Sequence, residues 1–137
     1  MFEFKDHFNE TRCMIRLLND YVEHRNLIIA FDFDNTIYDY HQKGYSFNDV
    51  LDLLRECSEL NFTMVLFTAN EDDEKLVFAK KYCADRHIRV DYINESPIMK
   101  TIKPYYNILL DDRAGLEESY RILKKVITII KSCRCKQ

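Results

Sequence analysis

The stretch LIIAFDFDNT (residues 27–36) decides the fold of this chain. Its first half is a near-continuous apolar run with little alternation, which is typical of a strand that is covered on both faces. Two aspartates, Asp32 and Asp34, follow directly. A second apolar run, NILLDD (residues 107–112), also ends in a pair of acids. The two runs predict central strands that bring these carboxylates to one edge of a sheet.

Helical and extended patterns alternate along the chain. The apolar residues Phe4, Phe8, Ile15, Leu18 and Val22 predict an amphipathic helix over residues 1–25, with one face on the core. Further helices are predicted from Ser46 to Leu60, from Asn70 to about Arg86 and from Leu116 onward, and further strands at 62–68, 89–93 and 107–110. Residues 132–137 are expected to be a flexible tail.

Three local features decide where the helices begin and end. Ser46, followed by Asp49, has the form of a capping box. Asn70 is the expected N-cap of the next helix, ahead of a run of acids that suits a positive helix end. The β-branched segment 126–130 suits either a helix or an added strand, and we expect a helix.

This alternation predicts an α/β fold. We expect a single three-layer Rossmann-like domain over residues 1–137, with a mainly parallel sheet of about four strands flanked by helices. Such sheets place ligands at the carboxyl ends of their strands, where the acids and Thr68 lie. The segments 35–44 and 68–103 leave no room for a cap domain beyond an ordinary crossover.

Composition narrows the class of protein. The 137 residues are 47% hydrophobic, so the chain can bury a core. Its net charge of −3 gives no basic footprint of the kind that favours nucleic-acid binding. Nucleic acid is therefore expected only as a substrate. No apolar run approaches the roughly 18 residues of a membrane span, so no membrane partner is expected. An odd count of 5 cysteines argues against a disulfide framework, and we expect a cytoplasmic protein. The sequence leaves the oligomeric state open.

The acidic residues predict a cation site. Asp32 and Asp34 would point to the same side of an extended chain and would repel each other without a cation or a shared proton. Mg²⁺ prefers such oxygen ligands and would also bridge to a substrate phosphate. A calcium-binding EF-hand loop begins similarly but requires glycine where Ile37 stands, so that alternative is excluded.

The order of the motifs resembles the haloacid dehalogenase-like (HAD) phosphatase superfamily, from Leu27 onward. Four motifs match in order: FDFDNT at 31–36, LFTAN at 66–70, Lys103, and ILLDDRAG at 108–115. The resemblance implies a capless, Mg²⁺-dependent phosphomonoesterase that works through an aspartyl-phosphate. Its substrate is unknown, and a nucleotide or a nucleic-acid end is among the candidates.

The resemblance also implies a role for each motif residue. Asp32 would be the nucleophile, and Asp34 the acid that protonates the leaving group and later activates water. Thr68 would hold a phosphate oxygen, with the amide of Ala69 or Asn70 nearby. The implied cation beside the phosphate is Lys103. The implied metal ligands are the Asp32 carboxylate, the Asp34 carbonyl, Asp112 and, in addition, Asp111.

Two details depart from the family pattern. Asn35 stands where the family usually has glycine, and asparagine tolerates the left-handed conformation that this turn requires. Lys100 lies close to Lys103 and is the alternative lysine, although the spacing to the second acidic pair favours Lys103. A response-regulator receiver domain uses similar residues in another order and is kept as an alternative fold.

An open site suits a bulky phosphorylated substrate or a small one that a neighbouring subunit covers. The segment 38–45 would form a flap beside the phosphate. Tyr40 and Tyr45 in this flap could stack on a base or a sugar, or merely pack the flap onto the domain. The alternative function is a non-catalytic phosphate- or partner-binding module, with the first helix as its docking surface.

Overall fold

Four parallel strands form the centre of the molecule. The computed structural model describes residues 8–135. Its elements are α1 (Glu10–His24), β1 (Ile28–Phe31), α2 (Asn48–Glu59), β2 (Thr63–Leu66), α3 (Asp73–Asp85), β3 (Tyr92–Ile93), β4 (Ile108–Leu110) and α4 (Leu116–Arg134). The strands pair in the order β3-β2-β1-β4, and every pairing is parallel. This is the 3-2-1-4 order of the Rossmann fold, so the predicted fold class is confirmed.

The order of the strands also determines where a ligand can bind. The chain proceeds from β1 to β2 and β3 on one side, and then returns to place β4 on the other side of β1. The reversal between β1 and β4 is the position at which open α/β sheets bind their ligands. A receiver domain has its first strand between the second and the third, so that alternative fold is wrong.

The two faces of the sheet are covered differently. Alternate strand residues, among them Ile29, Phe31 and Met64, form one large core with buried residues of all four helices. The opposite face has a smaller buried group of Ile28, Ala30 and Val65. Partly buried side chains cover this second group: Phe67, Tyr92, Tyr105, Tyr106 and Leu109. The third layer is therefore built from strand ends and the β3–β4 connection.

Helix α1 differs from its prediction in start and orientation. It begins at Glu10, after the N-cap Asn9, whereas the predicted residues 1–7 lie outside the part of the chain that the structure describes. Its buried residues are Leu17 and Tyr21, whereas Val22 is 61% exposed. The buried face of the helix is therefore rotated about the helix axis from the predicted one. Tyr21 packs edge-on against Phe62 in the core, a contact that the sequence pattern does not show.

Helices α2 and α3 both begin two residues or more after the predicted caps. The N-cap of α2 is Phe47, whose carbonyl accepts the first helical hydrogen bond from Leu51 at 3.0 Å, so the predicted capping box is wrong. The N-cap of α3 is Asp72, whose side chain accepts from the Glu74 amide at 2.9 Å. Asn70 does not cap, because its side chain is hydrogen-bonded to Asp34.

Side chains shorten two of the predicted strands. The carboxylate of Asp91 accepts a hydrogen bond from the Met64 amide at 2.8 Å, which replaces a backbone partner before β3. The side-chain carbonyl of Asn107 likewise accepts from the Ile28 amide at 2.6 Å, before β4. The predicted extended segments are present, but their first residues pair through side chains.

Helix α4 settles the ambiguous end of the chain. Residues 126–130 are helical, with Val126, Ile127 and Ile130 buried, as expected. The helix continues through Arg134, so the predicted tail was wrong for residues 132–134, and residues 136–137 lie outside the described part. All 5 cysteines are free. Within residues 8–135, no helix has the length and apolar character needed to cross a membrane.

Candidate active site

Three carboxylates meet at the reversal point between β1 and β4. Asp32, Asp111 and Asp112 each place one carboxylate oxygen within 4.8 Å of the others. The strand register causes this, because Phe31 pairs with Leu110 and the Asp32 amide donates to the Leu110 carbonyl at 2.9 Å. The residues that follow the two strands therefore leave the sheet side by side, as predicted for three of the four acids.

A buried hydroxyl joins the two acidic loops. Thr36 is fully buried, and its Oγ1 lies 3.1 Å from Asp32 Oδ2 and 3.4 Å from Asp112 Oδ1. The same oxygen accepts a hydrogen bond from the Asp112 amide at 3.0 Å. A hydroxyl has a single hydrogen to donate, so Thr36 can satisfy one of these carboxylates at a time. It fixes both loops in one arrangement.

The surroundings of the Asp32 carboxyl favour the binding of a cation. Burial, followed by the charge of the nearby Asp111, raises the pKa of Asp32 to about 6, against the opposing hydrogen bonds from Phe33 and Thr36. Ionised carboxylates at this spacing repel one another, and a divalent cation with oxygen ligands removes that repulsion. The donor set of hard oxygens fits Mg²⁺.

Asp34 lies beside this group and points elsewhere. Its Oδ2 accepts a hydrogen bond from the Asn70 side-chain amide at 3.2 Å. The separation arises because β1 ends at Phe31 and the chain turns at Asn35, which has the expected left-handed conformation with φ of 60°. The carboxylates of Asp32 and Asp34 therefore have different surroundings, and the predicted metal contact of Asp34 through its carbonyl stays a prediction.

Thr68 and its neighbours form the opposite wall. The Thr68 amide donates to the Asn94 side chain at 2.8 Å, and the Thr68 hydroxyl accepts from the Asn70 amide at 3.2 Å. Because the hydroxyl accepts in that bond, its own hydrogen can be donated to an anion in the cleft. Ala69 is exposed at the same rim. The second motif thus lies where an oxygen of a phosphate could be held.

An open cleft of about 620 Å³ joins these walls. Most of the predicted site residues line it together, and the full lining is Asp32, Asp34, Asn35, Tyr40, His41, Phe67, Thr68, Ala69, Asn94, Pro104, Asp111, Asp112 and Arg113. Its volume is within the ordinary range for a small-molecule site. The cleft is therefore large enough for a phosphate ester.

The predicted lysine lies outside the cleft. Lys103 is exposed. Its neighbour Pro104 lines the cleft, whereas Lys103 does not. The alternative, Lys100, lines a separate cavity of about 290 Å³. Arg113, directly after the second acidic pair, lines the cleft instead. The structure therefore adds an arginine to the candidates for the cation that contacts a phosphate.

Of the two flap tyrosines that were predicted to contact a substrate, the structure brings one to the cleft. Tyr40 lines the cleft together with His41, whereas Tyr45 is 63% exposed and lies outside both the cleft and the cavity beside it. The flap is held by Asp39, whose carboxylate accepts from the amides of Lys43 and Gly44. Of these two tyrosines, Tyr40 alone lines the cleft.

Sequence reasoning missed three residues of the site. Thr36 stands four positions after Asp32 in the first motif, but no local pattern indicates that its hydroxyl is buried between two loops. Arg113 directly follows the second acidic pair, so the sequence already indicated a positive charge near the site. Asn94 carried no comparable signal, because its role depends on a left-handed conformation, φ of 53°, that the sequence does not indicate.

Replacing Thr36 by valine is expected to weaken Mg²⁺ binding by about 10- to 100-fold, because a side chain that orients metal ligands typically has an effect of this size. The change also removes the hydrogen-bond acceptor of the Asp112 amide, which costs about 0.5–1.5 kcal/mol of folding free energy. Isothermal titration with Mg²⁺ and thermal unfolding measure the two effects. Thr36→Ser keeps the hydroxyl and is the control; equal Mg²⁺ affinity in both variants would contradict the role of the hydroxyl.

Comparisons with known proteins inform the fold alone. No protein-family model and no curated protein matches the chain. A solved structure, that of a conserved protein coded by a locus from Bacteroides thetaiotaomicron, is similar with a TM-score of 0.58 and 22% sequence identity. The similarity covers 73% of this chain and 91% of that chain. This likeness and the strand order together show an α/β protein with a Rossmann-like parallel sheet.

Proposed function

We propose that the chain is a Mg²⁺-dependent phosphomonoesterase that works through an aspartyl-phosphate. One observation carries the proposal: the carboxylates of Asp32, Asp111 and Asp112 converge within 4.8 Å at the reversal point of the sheet, next to Asp34 and Thr68. Three clustered carboxylates repel an anionic substrate unless a cation is bound. The arrangement therefore suits metal-assisted phosphoryl transfer.

Asp32, Asp111 and Asp112 would hold the ion. When bound, Mg²⁺ neutralises the cluster and polarises the phosphoryl oxygens of the substrate. Thr36 keeps the Asp32 and Asp112 carboxylates in place through its short contacts with both. The Thr68 hydroxyl and the Ala69 amide would hold the remaining phosphoryl oxygens, since the amides of Thr68 and Asn70 already donate to Asn94 and to the Thr68 hydroxyl.

The first step forms a bond between an Asp32 carboxylate oxygen and phosphorus, while the bond from phosphorus to the ester oxygen breaks. Asp34, in its protonated form, gives its proton to the departing oxygen, and an alcohol leaves. The hydrogen bond from Asn70 orients the Asp34 carboxyl for this transfer. The two aspartates thus divide the work of nucleophile and acid.

The second step regenerates the enzyme. Asp34, now ionised, accepts a proton from water as the water oxygen attacks phosphorus and the bond to Asp32 breaks. Inorganic phosphate leaves, and Asp34 is again protonated for the next cycle. The reaction consumes one water molecule and needs no other reactant.

The free cysteines are consistent with the proposal that the protein works in a reducing cytoplasm.

A second candidate is a non-catalytic phosphate-binding module on the same scaffold. The position of Lys103 outside the cleft favours it, because phosphoryl transfer benefits from a cation at the transferred group. Arg113 can supply that charge from within the cleft. The two functions differ in a single readout, which is the release of inorganic phosphate.

Alanine substitutions identify which basic side chain stabilises the charge of the transferred phosphoryl group. Lys103→Ala is expected to lower kcat/KM by about 10²- to 10³-fold, the loss that follows removal of one group that stabilises transition-state charge. Lys100→Ala is the matched control and should change kcat/KM less than about twofold, since an isolated exposed charge contributes little. If Lys103→Ala behaves like the control and Arg113→Ala shows the large loss, the cation is Arg113.

The proposed function is tested by phosphate release from a substrate panel with Mg²⁺. The panel contains phosphorylated metabolites, nucleotides, and oligonucleotides phosphorylated at the 3′ or the 5′ end. Release from at least one class, with saturation kinetics, supports the phosphomonoesterase. Binding of phosphate esters without release from any member of the panel would instead support the non-catalytic module.

A further inference from the structure

A second cavity, of about 350 Å³, adjoins the cleft at Asp34. Four of the nine residues that line it are aromatic, namely Phe33, Tyr38, Tyr40 and Phe78, and the other five are polar or charged. Asp34 and Tyr40 also line the catalytic cleft. The two spaces therefore adjoin at the residue that would protonate the leaving group.

The aromatic wall is a built feature of the fold. Phe33 and Tyr38 stack with ring centroids 5.1 Å apart, and Phe78 meets Tyr38 edge-on at 5.3 Å. Tyr82 packs against the same rings and donates a hydrogen bond from its hydroxyl to the Ile37 carbonyl at 2.8 Å. These contacts hold the wall rigid, so little conformational entropy is lost when a ligand binds there.

Two rings of the wall remain accessible. Phe78 is 47% exposed and Tyr40 is 53% exposed, although both border the cavity. Aromatic faces attract the edge or the offset face of another planar ring, beyond the effect of burying apolar area. Gln42 and Asn70 place amide groups at the rim. The cavity thus combines apolar faces with a polar edge.

We propose that this cavity binds a planar aromatic ring of the leaving group, so that the substrate is an aromatic phosphomonoester. The inference rests on the proposed function, because it takes phosphorus to lie beside Asp32 and the departing oxygen to lie at Asp34. From that position the leaving group extends past Asp34 into the aromatic cavity. The ring is either a nucleobase or a carbocyclic aryl group, which share this stacking chemistry.

Two esters of matched chemistry test the ring. Benzyl phosphate and cyclohexylmethyl phosphate have similar size and both release a primary alcohol, but only the first has a planar ring. Their affinities for the Asp32→Asn protein with Mg²⁺ are measured by isothermal titration. Benzyl phosphate should bind about 3- to 10-fold more tightly, as aromatic pairing predicts. Cyclohexyl is the more apolar ring, so hydrophobicity alone would give the opposite order.

A variant pair on one helix assigns the preference to the wall. Phe78→Leu, made in the Asp32→Asn protein, keeps an apolar side chain but removes the ring and should bring the ratio of the two affinities close to one. Val77→Ala is the matched control, because Val77 is 66% exposed on the same helix and lines a different cavity. It should leave the ratio unchanged. Circular dichroism verifies that both variants are folded.

The outcomes separate the two proposals. Equal affinity for the two esters, or failure of both to bind, overturns the aromatic site. A benzyl preference that depends on Phe78, in a protein whose wild-type form releases no phosphate, supports the site and refutes the phosphomonoesterase. Tighter binding of a nucleoside monophosphate than of benzyl phosphate supports a nucleobase as the ring, and weaker binding supports an aryl group.

Discussion

Replacing Asp32 by asparagine is expected to lower phosphate release by about 10⁴-fold or more, the loss typical of removing a nucleophile. The amide cannot attack phosphorus, but it keeps nearly the same shape. Turnover of p-nitrophenyl phosphate with Mg²⁺ measures the effect. Activity within about tenfold of the wild type would refute Asp32 as the nucleophile.

The same variant should have a more stable metal-free fold at neutral pH, which provides the control for folding. The pKa of Asp32 is about 6 in the fold, above the ordinary value for an unfolded aspartate. The folded state therefore holds this proton more tightly, and the wild type loses stability as the pH rises through 6. Asparagine has no charge to lose. Thermal unfolding in EDTA should show a stability gain that is large at pH 8 and shrinks near pH 5.

Removing Mg²⁺ should have the second large effect. Without the ion, the carboxylates of Asp32, Asp111 and Asp112 face the anionic substrate at close range. A metal typically contributes several kcal/mol to such a reaction, so excess EDTA is expected to slow phosphate release by about 10²- to 10⁴-fold. Restoring Mg²⁺ should restore the rate.

Asp112→Asn is the matched variant for this experiment. It removes one charge from the cluster while its backbone amide can still donate to Thr36. The Mg²⁺ concentration for half-maximal activity should rise, with a smaller change in the rate at saturating Mg²⁺. Unchanged turnover of the wild type in EDTA would contradict the metal-assisted reaction, whatever the behaviour of the variant.

The sequence predicted the parts of the fold that depend on local patterns. The apolar run before Asp32 and the one before Asp111 became neighbouring strands, because buried parallel strands carry a strong apolar signal. Helix starts were predicted poorly. Asn70 had the composition of a cap but is engaged by Asp34, a contact between residues 36 positions apart that no local pattern shows.

In the candidate site, too, the sequence predicted what depends on local patterns and missed what depends on tertiary contacts. The three acids could be predicted, because parallel strands must end at one edge once the register is set. The contribution of Thr36 could not, because it depends on the burial of a hydroxyl between two loops. The aromatic cavity was missed for a similar reason: Phe78 belongs to helix α3, and its contact with Phe33 and Tyr38 arises only from tertiary packing.

The pairing of β1 with β4 has a consequence for the order of folding. Ile28 and Asn107 are joined across 79 positions, so the clustered acids that follow the two strands come from distant parts of the chain. Closing so long a loop carries an entropic cost before any contact offsets it, and such contacts tend to form late. Under the proposed function, a nascent chain that lacks β4 would contain the nucleophile without two of the acids that would hold Mg²⁺. Phosphatase chemistry would then become possible only after the last strand has docked, and Asp32 would stay unreactive during synthesis.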